Sequence, residues 1–286
     1  MIEQNNIISI IEGDVKIGVM LSNAVKRARG KYVCFLDDDD IFYHDKLAAV
    51  SGFIKEYTDL VYYHNAFDSI DESGAPVYDR KHIHPLEAIT IHDQENMRIK
   101  KLKKRSGDIN MSSITIKKEL IEKNRDRLEK IEGLQDVFLF YIAVSDAGTK
   151  VLDSRAYTGY RIHSSESHGD TFSLEKYISS MTSVTKKYIN TYEILLPVEG
   201  KIWNELKYEY ITNLCRFYLM TLEENRNCNL RNFLFMFTNL GYAETLRNQI
   251  TLLGLSMLKK LFPRKARGVY LSRKYKYESS LYSLNK

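Results

Sequence analysis

The sequence predicts an α/β fold, a mixed sheet flanked by helices, followed by an α-helical extension. Three observations carry this. Tyr32-Val33-Cys34-Phe35-Leu36 is an uninterrupted apolar run, the pattern of a strand buried on both faces of a parallel sheet. Strand-like and helix-like segments alternate up to about Asp170, as an α/β layer architecture requires. From Leu174 onward strand signals stop, and long amphipathic helical patterns rich in Tyr, Phe and Leu take over.

The elements follow in order. Leu21–Arg29 has a short helical pattern closed by Gly30, a natural helix stop. Beyond the acids Asp37–Asp40, Leu47, Val50, Ile54 and Tyr57 fall on one helix face. Leu60–His64 reads as a strand, followed by a turn at Asp71-Glu72-Ser73-Gly74. Tyr78–Gly107 lacks periodicity and reads as a loop, and Ile109–Ile116 reads as a strand running into a helix at Lys117–Lys123. Leu134, Val137, Phe138, Tyr141 and Ile142 mark a helix closed by Gly148. Short strands are expected near Lys150–Leu152 and Tyr157–His163. The expected organisation is a catalytic domain over 1–170, a helical extension over 171–250 and a basic amphipathic segment over 251–286.

Bulk properties narrow the class. With 44% hydrophobic and 28% charged residues in 286, the chain is expected to be globular. Cys34, Cys215 and Cys228 form no Cys-x-x-Cys pair, which argues against a zinc knuckle or disulfide framework and suits a reducing cytoplasm. No signal-peptide pattern is visible at Met1-Ile2-Glu3-Gln4. The apolar stretch Ile250–Leu258 falls short of the roughly 18 residues of a spanning helix. The net charge of +5 is uneven: Thr245–Tyr277 holds no Asp or Glu, and a second basic run lies at Arg98–Arg105. Such charge attracts phosphate, but no nucleic-acid motif accompanies it.

Asp37-Asp38-Asp39-Asp40 stands at the end of the predicted buried strand, where open α/β sheets bind ligands. Two like charges 4 Å apart repel by about 1 kcal/mol even in water. The cluster therefore calls for a cation, with oxygen ligation pointing to Mg²⁺ or Mn²⁺, or else serves as a cap for the next helix.

The surrounding residues resemble family-2 glycosyltransferases. Ser22-Asn23-Ala24-Val25 through Gly30, Tyr32–Leu36 and Asp37–Ile41 follow the order of the family's central signature. His44-Asp45-Lys46-Leu47 resembles the helix start that comes next, and Ile109–Ile116 the later strand that approaches donor and acceptor. Gly133-Leu134-Gln135-Asp136 resembles the Glu-Asp pair that opens a helix, and Tyr160-Arg161-Ile162-His163 the segment that closes the catalytic domain. Gln135 departs from the commoner Glu, Ser22 from a frequent Arg, and Lys16 from a frequent Asn.

The resemblance implies a GT-A-like fold and inverting, metal-dependent transfer of a sugar from a nucleotide-diphosphate donor. The acceptor would be a hydroxyl of a glycan or lipid-linked sugar in cell-surface polysaccharide biosynthesis. Asp39 would ligate Mn²⁺ or Mg²⁺ with Asp37 and His163. Asp37, Asn23 and Asp38 would line the donor site, although Asp38 and Asp40 also read as solvated or capping acids. Asp136 would be the general base, or by its residue type alone a first-turn helix acid. His82, His84 and His92 read as loop residues, not a metal site.

Ile250, Leu252, Leu253, Leu255, Met257, Leu258, Leu261 and Phe262 beside Lys259–Arg267 suit a helix on an anionic cytoplasmic membrane face, or else a helix packed on the catalytic domain with its charges in water. The resemblance also implies that the family's first strand, helix and second strand are missing upstream, leaving the 32–36 strand with one neighbour or paired with Ile7–Ile11. No complete base pocket is then expected above Asp37. Two rivals compete: a catalytically impaired, membrane-associated scaffold remnant, and a haloacid-dehalogenase-like phosphatase. The phosphatase needs its nucleophilic Asp near the domain start, followed closely by Thr or Val, and Ile41-Phe42 fits that poorly.

Overall fold

The computed structural model describes residues 8, 13–77, 88–92, 107–162, 173–197, 202–221, 229–242 and 246–283. Two compact units form: Met1–Ile70 with Pro76–Arg161, and Asp71–Ala75 with Ile162–Lys286.

The first unit runs α1 (Ile17–Arg27), β1 (Tyr32–Cys34), β2 (Ile41–Phe42), α2 (Lys46–Glu56), β3 (Leu60–Ile70) and β4 (Ile89–Ile91). β5 (Ile114–Lys117), α3 (Lys118–Lys123), α4 (Arg125–Leu128), α5 (Gln135–Val144) and β6 (Thr149–Arg161) complete it. The strands form one mixed sheet in the order β1-β5-β3-β6-β2, with β4 also on β6. The long central pair β3 and β6 is parallel, from Leu60 opposite Thr149 to Ile70 opposite Arg161. β1–β5, β3–β5, β4–β6 and β2–β6 are antiparallel. The expected mixed sheet with flanking helices is therefore present.

Burial is distributed differently from the apolar run. Every β3 residue but Asp68 is buried, because β3 has strands on both sides and helices over it. β1 stops at Cys34 and is only half-buried, and Leu36 is exposed. The expectation of a strand over 32–36 buried on both faces of a parallel sheet is corrected: β1 is half-buried and antiparallel to β5. Its position at the sheet edge, with one strand neighbour among the described residues, is one of the two arrangements expected above. The two strands expected near 150 and 157 are one strand, β6, whose pairing with β3 is interrupted by irregularities around Asn65 and Ala66.

Helix packing follows the apolar pattern in part. α2 buries Val50 against Leu60, Tyr63 and Val151. Leu47 is exposed, and the buried residue beside it is Lys46. α5 is buried along Val137–Val144, a helix apolar all round and therefore a core helix. α1 docks through Gly18: a Cβ there would sit 1.8 Å from the Leu128 carbonyl oxygen.

The second unit is helical: α6 (Leu174–Leu195), α7 (Trp203–Met220), α8 (Leu230–Thr238), α9 (Leu246–Lys259) and α10 (Pro263–Ser283). Ile211, Cys215 and Leu219 of α7 meet Met236 of α8, Leu252 of α9 and Tyr270 of α10 in one apolar cluster. Among the described residues no helix is long and apolar enough to cross a membrane.

Candidate active site

Once Phe35 and Leu36 leave the sheet edge, the backbone turns through the four acids. Asp37 N donates to Ser112 Oγ at 2.9 Å, and Asp40 N donates to Asp37 O at 3.3 Å. Asp40 is buried, and its Oδ1 accepts from Arg161 N at 2.9 Å. Arg161 Nε donates to Asp39 O at 2.6 Å. Asp40 thus ties the acidic turn to the end of β6, which corrects the reading of a solvated or capping acid. Asp38 is exposed, while Asp37 and Asp39 are half-buried.

Burial, and then the neighbouring Asp40, Asp39, Asp136 and Asp38, push the Asp37 carboxyl up to about 7. Asp136 thereby belongs to the same electrostatic neighbourhood, though it comes from α5. It sits in the first turn of that helix, where Oδ1 accepts from Val137 N at 2.8 Å and Oδ2 from Asn110 N at 3.3 Å. Burial pushes its carboxyl up to about 6, while the backbone N–H groups of Val137, Asn110 and Asp136 itself pull the other way.

Backbone strain is concentrated here. Among the described residues, Asn110 (φ 72) and Leu134 (φ 56) are the non-glycine residues with positive φ. Such conformations cost about 1–3 kcal/mol each and persist where the surroundings enforce them. Asn110 is the residue whose N–H reaches Asp136, and Leu134 is the residue from which α5 starts.

The turn Asn110–Ser113 joins the two acids. Asn110 Oδ1 accepts from Ser112 N at 2.9 Å, and Asn110 Nδ2 donates to Ser113 Oγ at 3.2 Å. The sequence reading of a strand over 109–116 is corrected here: residues Met111–Ser113 form a 3₁₀ turn and the strand begins at Ile114. Beneath the turn lies Lys46, fully buried. Its Nζ donates to Ser112 O and, at 3.0 Å, to Thr158 Oγ1, and it stands 4.1 Å from the Phe42 ring centroid. Burial pushes this ammonium down to about 7, against the opposing pull of Cys34 and Asp40. The sequence reading assigned Lys46 no such role.

A pocket of about 280 Å³ opens beside Asp37. Ile17, Met20, Leu21 and Ala24 of α1 form one wall, Phe35, Leu36 and Met111 others, and Asp37 and Gln135 are its polar groups. The expectation of no complete pocket above Asp37 thus meets a small apolar one that borrows residues from two later segments. Its volume lies at the low end for ligand sites, enough for part of a nucleotide sugar.

The other sequence candidates are placed as follows. Asn23 is half-buried on α1, and the pocket wall is formed by other residues of that helix. Ser22 donates to Glu129 Oε1 at 2.8 Å and accepts from Arg125 Nε at 3.1 Å. Lys16 pairs with Glu132 at 2.8 Å. His92 shares a hydrogen bond with Thr149 Oγ1 at 2.9 Å. His163, His82, His84 and Arg98–Arg105 lie outside the described residues.

Among the described residues no three His, Cys, Asp or Glu side chains converge into a metal cage. Mg²⁺ and similar ions at phosphate sites, however, take one or two carboxylates and complete their shell with phosphate oxygens and water. Asp37 and Asp39 lie on one turn, and the charge of Asp39 adds to that around Asp37.

Residues 4–123 match the model of the family described as "Glycosyl transferase family 2". The acidic turn, α1 and the Asn110–Ser113 turn all fall inside the matched segment, whereas Asp136 lies beyond its end. An uncharacterized glycosyltransferase of Rickettsia bellii is 40% identical over 50 residues, covering 18% of this chain and 7% of that protein. One from Rickettsia felis is 40% identical over 50 residues, with 18% and 8% covered. The aligned stretch is therefore a small part of those longer relatives. The crystal structure of S. aureus TarS 1-349 is 17% identical, with a TM-score of 0.44 over 95% of this chain and 72% of that one.

Proposed function

We propose that this chain is an inverting family-2 glycosyltransferase that moves a sugar from a nucleotide diphosphate to an acceptor hydroxyl, with Asp136 as general base. One observation supports this above the others: the Asn110–Ser113 turn holds the backbone of Asp37 through Ser112 and the carboxylate of Asp136 through Asn110 N. The donor-side and acceptor-side acids are thus positioned by one rigid piece of backbone.

The chemistry follows from the two environments. Asp136, with a carboxyl at about 6, is largely ionised at neutral pH yet basic enough to accept a proton, the compromise a general base needs. It takes the proton of the acceptor hydroxyl as that oxygen bonds to the anomeric carbon. The bond from that carbon to the diphosphate breaks on the opposite face, so configuration inverts. Asp37 and Asp39 face the donor's phosphates. A bound Mn²⁺ or Mg²⁺ there would be held by these two carboxylates and neutralise charge developing on the leaving nucleotide. The pocket beside Asp37 receives an apolar or planar part of the donor, with Gln135 at its rim. The acceptor is a glycan or lipid-linked sugar.

The test is turnover across a panel of uridine, guanosine, thymidine and cytidine diphosphate sugars, with and without chelator. Chelator-sensitive release of nucleoside diphosphate from at least one donor is expected. Binding without turnover of any donor would favour the scaffold alternative.

A further inference from the structure

The second unit carries a surface that sugar transfer does not use. Thr245–Tyr277 contains no Asp or Glu, but its cations do not all face the same way. Lys259 is buried, with Nζ donating to Tyr218 O and, at 2.7 Å, to Thr221 O. Arg267 Nε donates to Met220 O at 2.8 Å. These two satisfy the open carbonyls at the C-terminus of α7, where helix polarity also favours positive charge.

Three of the remaining cations mark a different place. Lys260, Arg264 and Lys265 are exposed around the elbow between α9 and α10. Two large apolar side chains occupy the same elbow in water: Leu261 is 75% exposed and Phe262 54%. Met257 and Leu258, one turn earlier, are 48% and 49% exposed. Single exposed apolar residues are ordinary, but a contiguous group rimmed by charges of one sign marks an interaction site. Pro263 opens α10, so the helix break itself presents Leu261 and Phe262 at the tip.

We propose that this elbow docks on an anionic lipid surface, with Leu261 and Phe262 entering the headgroup–acyl boundary and Lys260, Arg264 and Lys265 meeting lipid phosphates. Charge selects the occupant. A stretch of chain without Asp or Glu matches anionic headgroups, and apolar tips need an acyl layer that a free phosphate cannot offer. Each cation near such a surface is worth roughly a fivefold gain in binding, so three give on the order of 10²-fold.

The experiment is sedimentation of the full chain with phosphatidylglycerol-containing and pure phosphatidylcholine vesicles at low and high salt. Anionic vesicles should carry the protein down at low salt, with release at high salt. A Lys260→Glu, Arg264→Glu, Lys265→Glu variant should bind on the order of 10²-fold more weakly. Leu261→Asp with Phe262→Asp should also lose binding. All these positions are exposed, so unchanged circular dichroism and melting should accompany the losses. In a Trp203→Phe background, Phe262→Trp should shift its emission to the blue on anionic vesicles. No binding at low salt would overturn the proposal. So would binding that survives Leu261→Asp with Phe262→Asp and is competed away by inorganic phosphate, which would indicate an anion site. A change of oligomeric state in that variant, with vesicle binding intact, would assign the elbow to self-association and overturn it equally.

Discussion

Ser112 Oγ accepts the backbone N–H of Asp37 at 2.9 Å, while the carbonyl of the same serine accepts from buried Lys46. One residue therefore connects the acidic turn to the sheet core, and through Asn110 to Asp136. Replacing Ser112 by Ala removes the acceptor for the Asp37 amide without altering the 3₁₀ turn. The expected cost is about 1–3 kcal/mol of stability, read by urea denaturation, with a larger fractional loss in donor affinity than in melting temperature. Unchanged donor affinity would show that Asp37 does not depend on this anchor.

Asp136 makes a pH-dependent contribution whose sign is fixed by its shift. Its carboxyl stands at about 6 in the fold, above the ordinary 3.8, so the folded state holds its proton longer than the unfolded chain. Its contribution to stability is fully present below about pH 4 and is lost as pH rises through about 6. The group is largely buried, so the loss is on the order of 2–3 kcal/mol. Catalysis runs the other way: kcat/KM should fall below about pH 6, as the base becomes protonated. A pH–rate profile flat from pH 5 to 8 would count against Asp136 as the base.

Asp39→Ala should abolish the part of the turnover that depends on added Mn²⁺ or Mg²⁺ and weaken donor binding by at least tenfold, measured by calorimetry with and without the ion. Asp38→Ala, at the exposed corner of the same turn, should leave both nearly unchanged. Equal losses in the two variants would mean that net acidity, not Asp39 itself, is what matters.

Gly18→Ala tests the docking of α1. The added methyl group meets the Leu128 carbonyl oxygen at 1.8 Å and Ile131 Cγ1 at 2.8 Å, and a backbone carbonyl cannot step aside as a side-chain tip can. A loss of about 2–4 kcal/mol is expected, seen as a lowered urea midpoint. Because α1 walls the pocket, donor affinity should fall with it. Full stability in this variant would show that the α1–α4 contact is looser than described.

Much of this was legible in the sequence because apolar periodicity and the acidic turn are local signals. Most of the order of strands and helices, the helical second unit and the position of Asp136 at a helix start follow from them. The short strands β2 and β4 do not, and β4 lies inside the stretch 78–107 that reads as a loop. Three further features were not legible. The run 32–36 by itself looks doubly buried, but burial depends on how many strands flank it; its single neighbour was expected from the resemblance, not from the run. Lys46 is a lysine beside the apolar Leu47, so periodicity turns the wrong residue inward, and only the carbonyl of Ser112 and the hydroxyl of Thr158 explain its burial. Asn110–Ser113 reads as strand by its neighbours, but the left-handed Asn110 makes it a turn, a choice that depends on its contact with Asp136.

The most direct measurement is single-turnover transfer by Asp136→Asn, with donor affinity measured on the same sample. Asn keeps the size of Asp, removes the basicity and should leave folding at neutral pH intact or slightly firmer. The proposed mechanism predicts unchanged donor binding and a rate lowered by roughly 10²–10⁴. A variant that binds donor and transfers sugar at the original rate would contradict it.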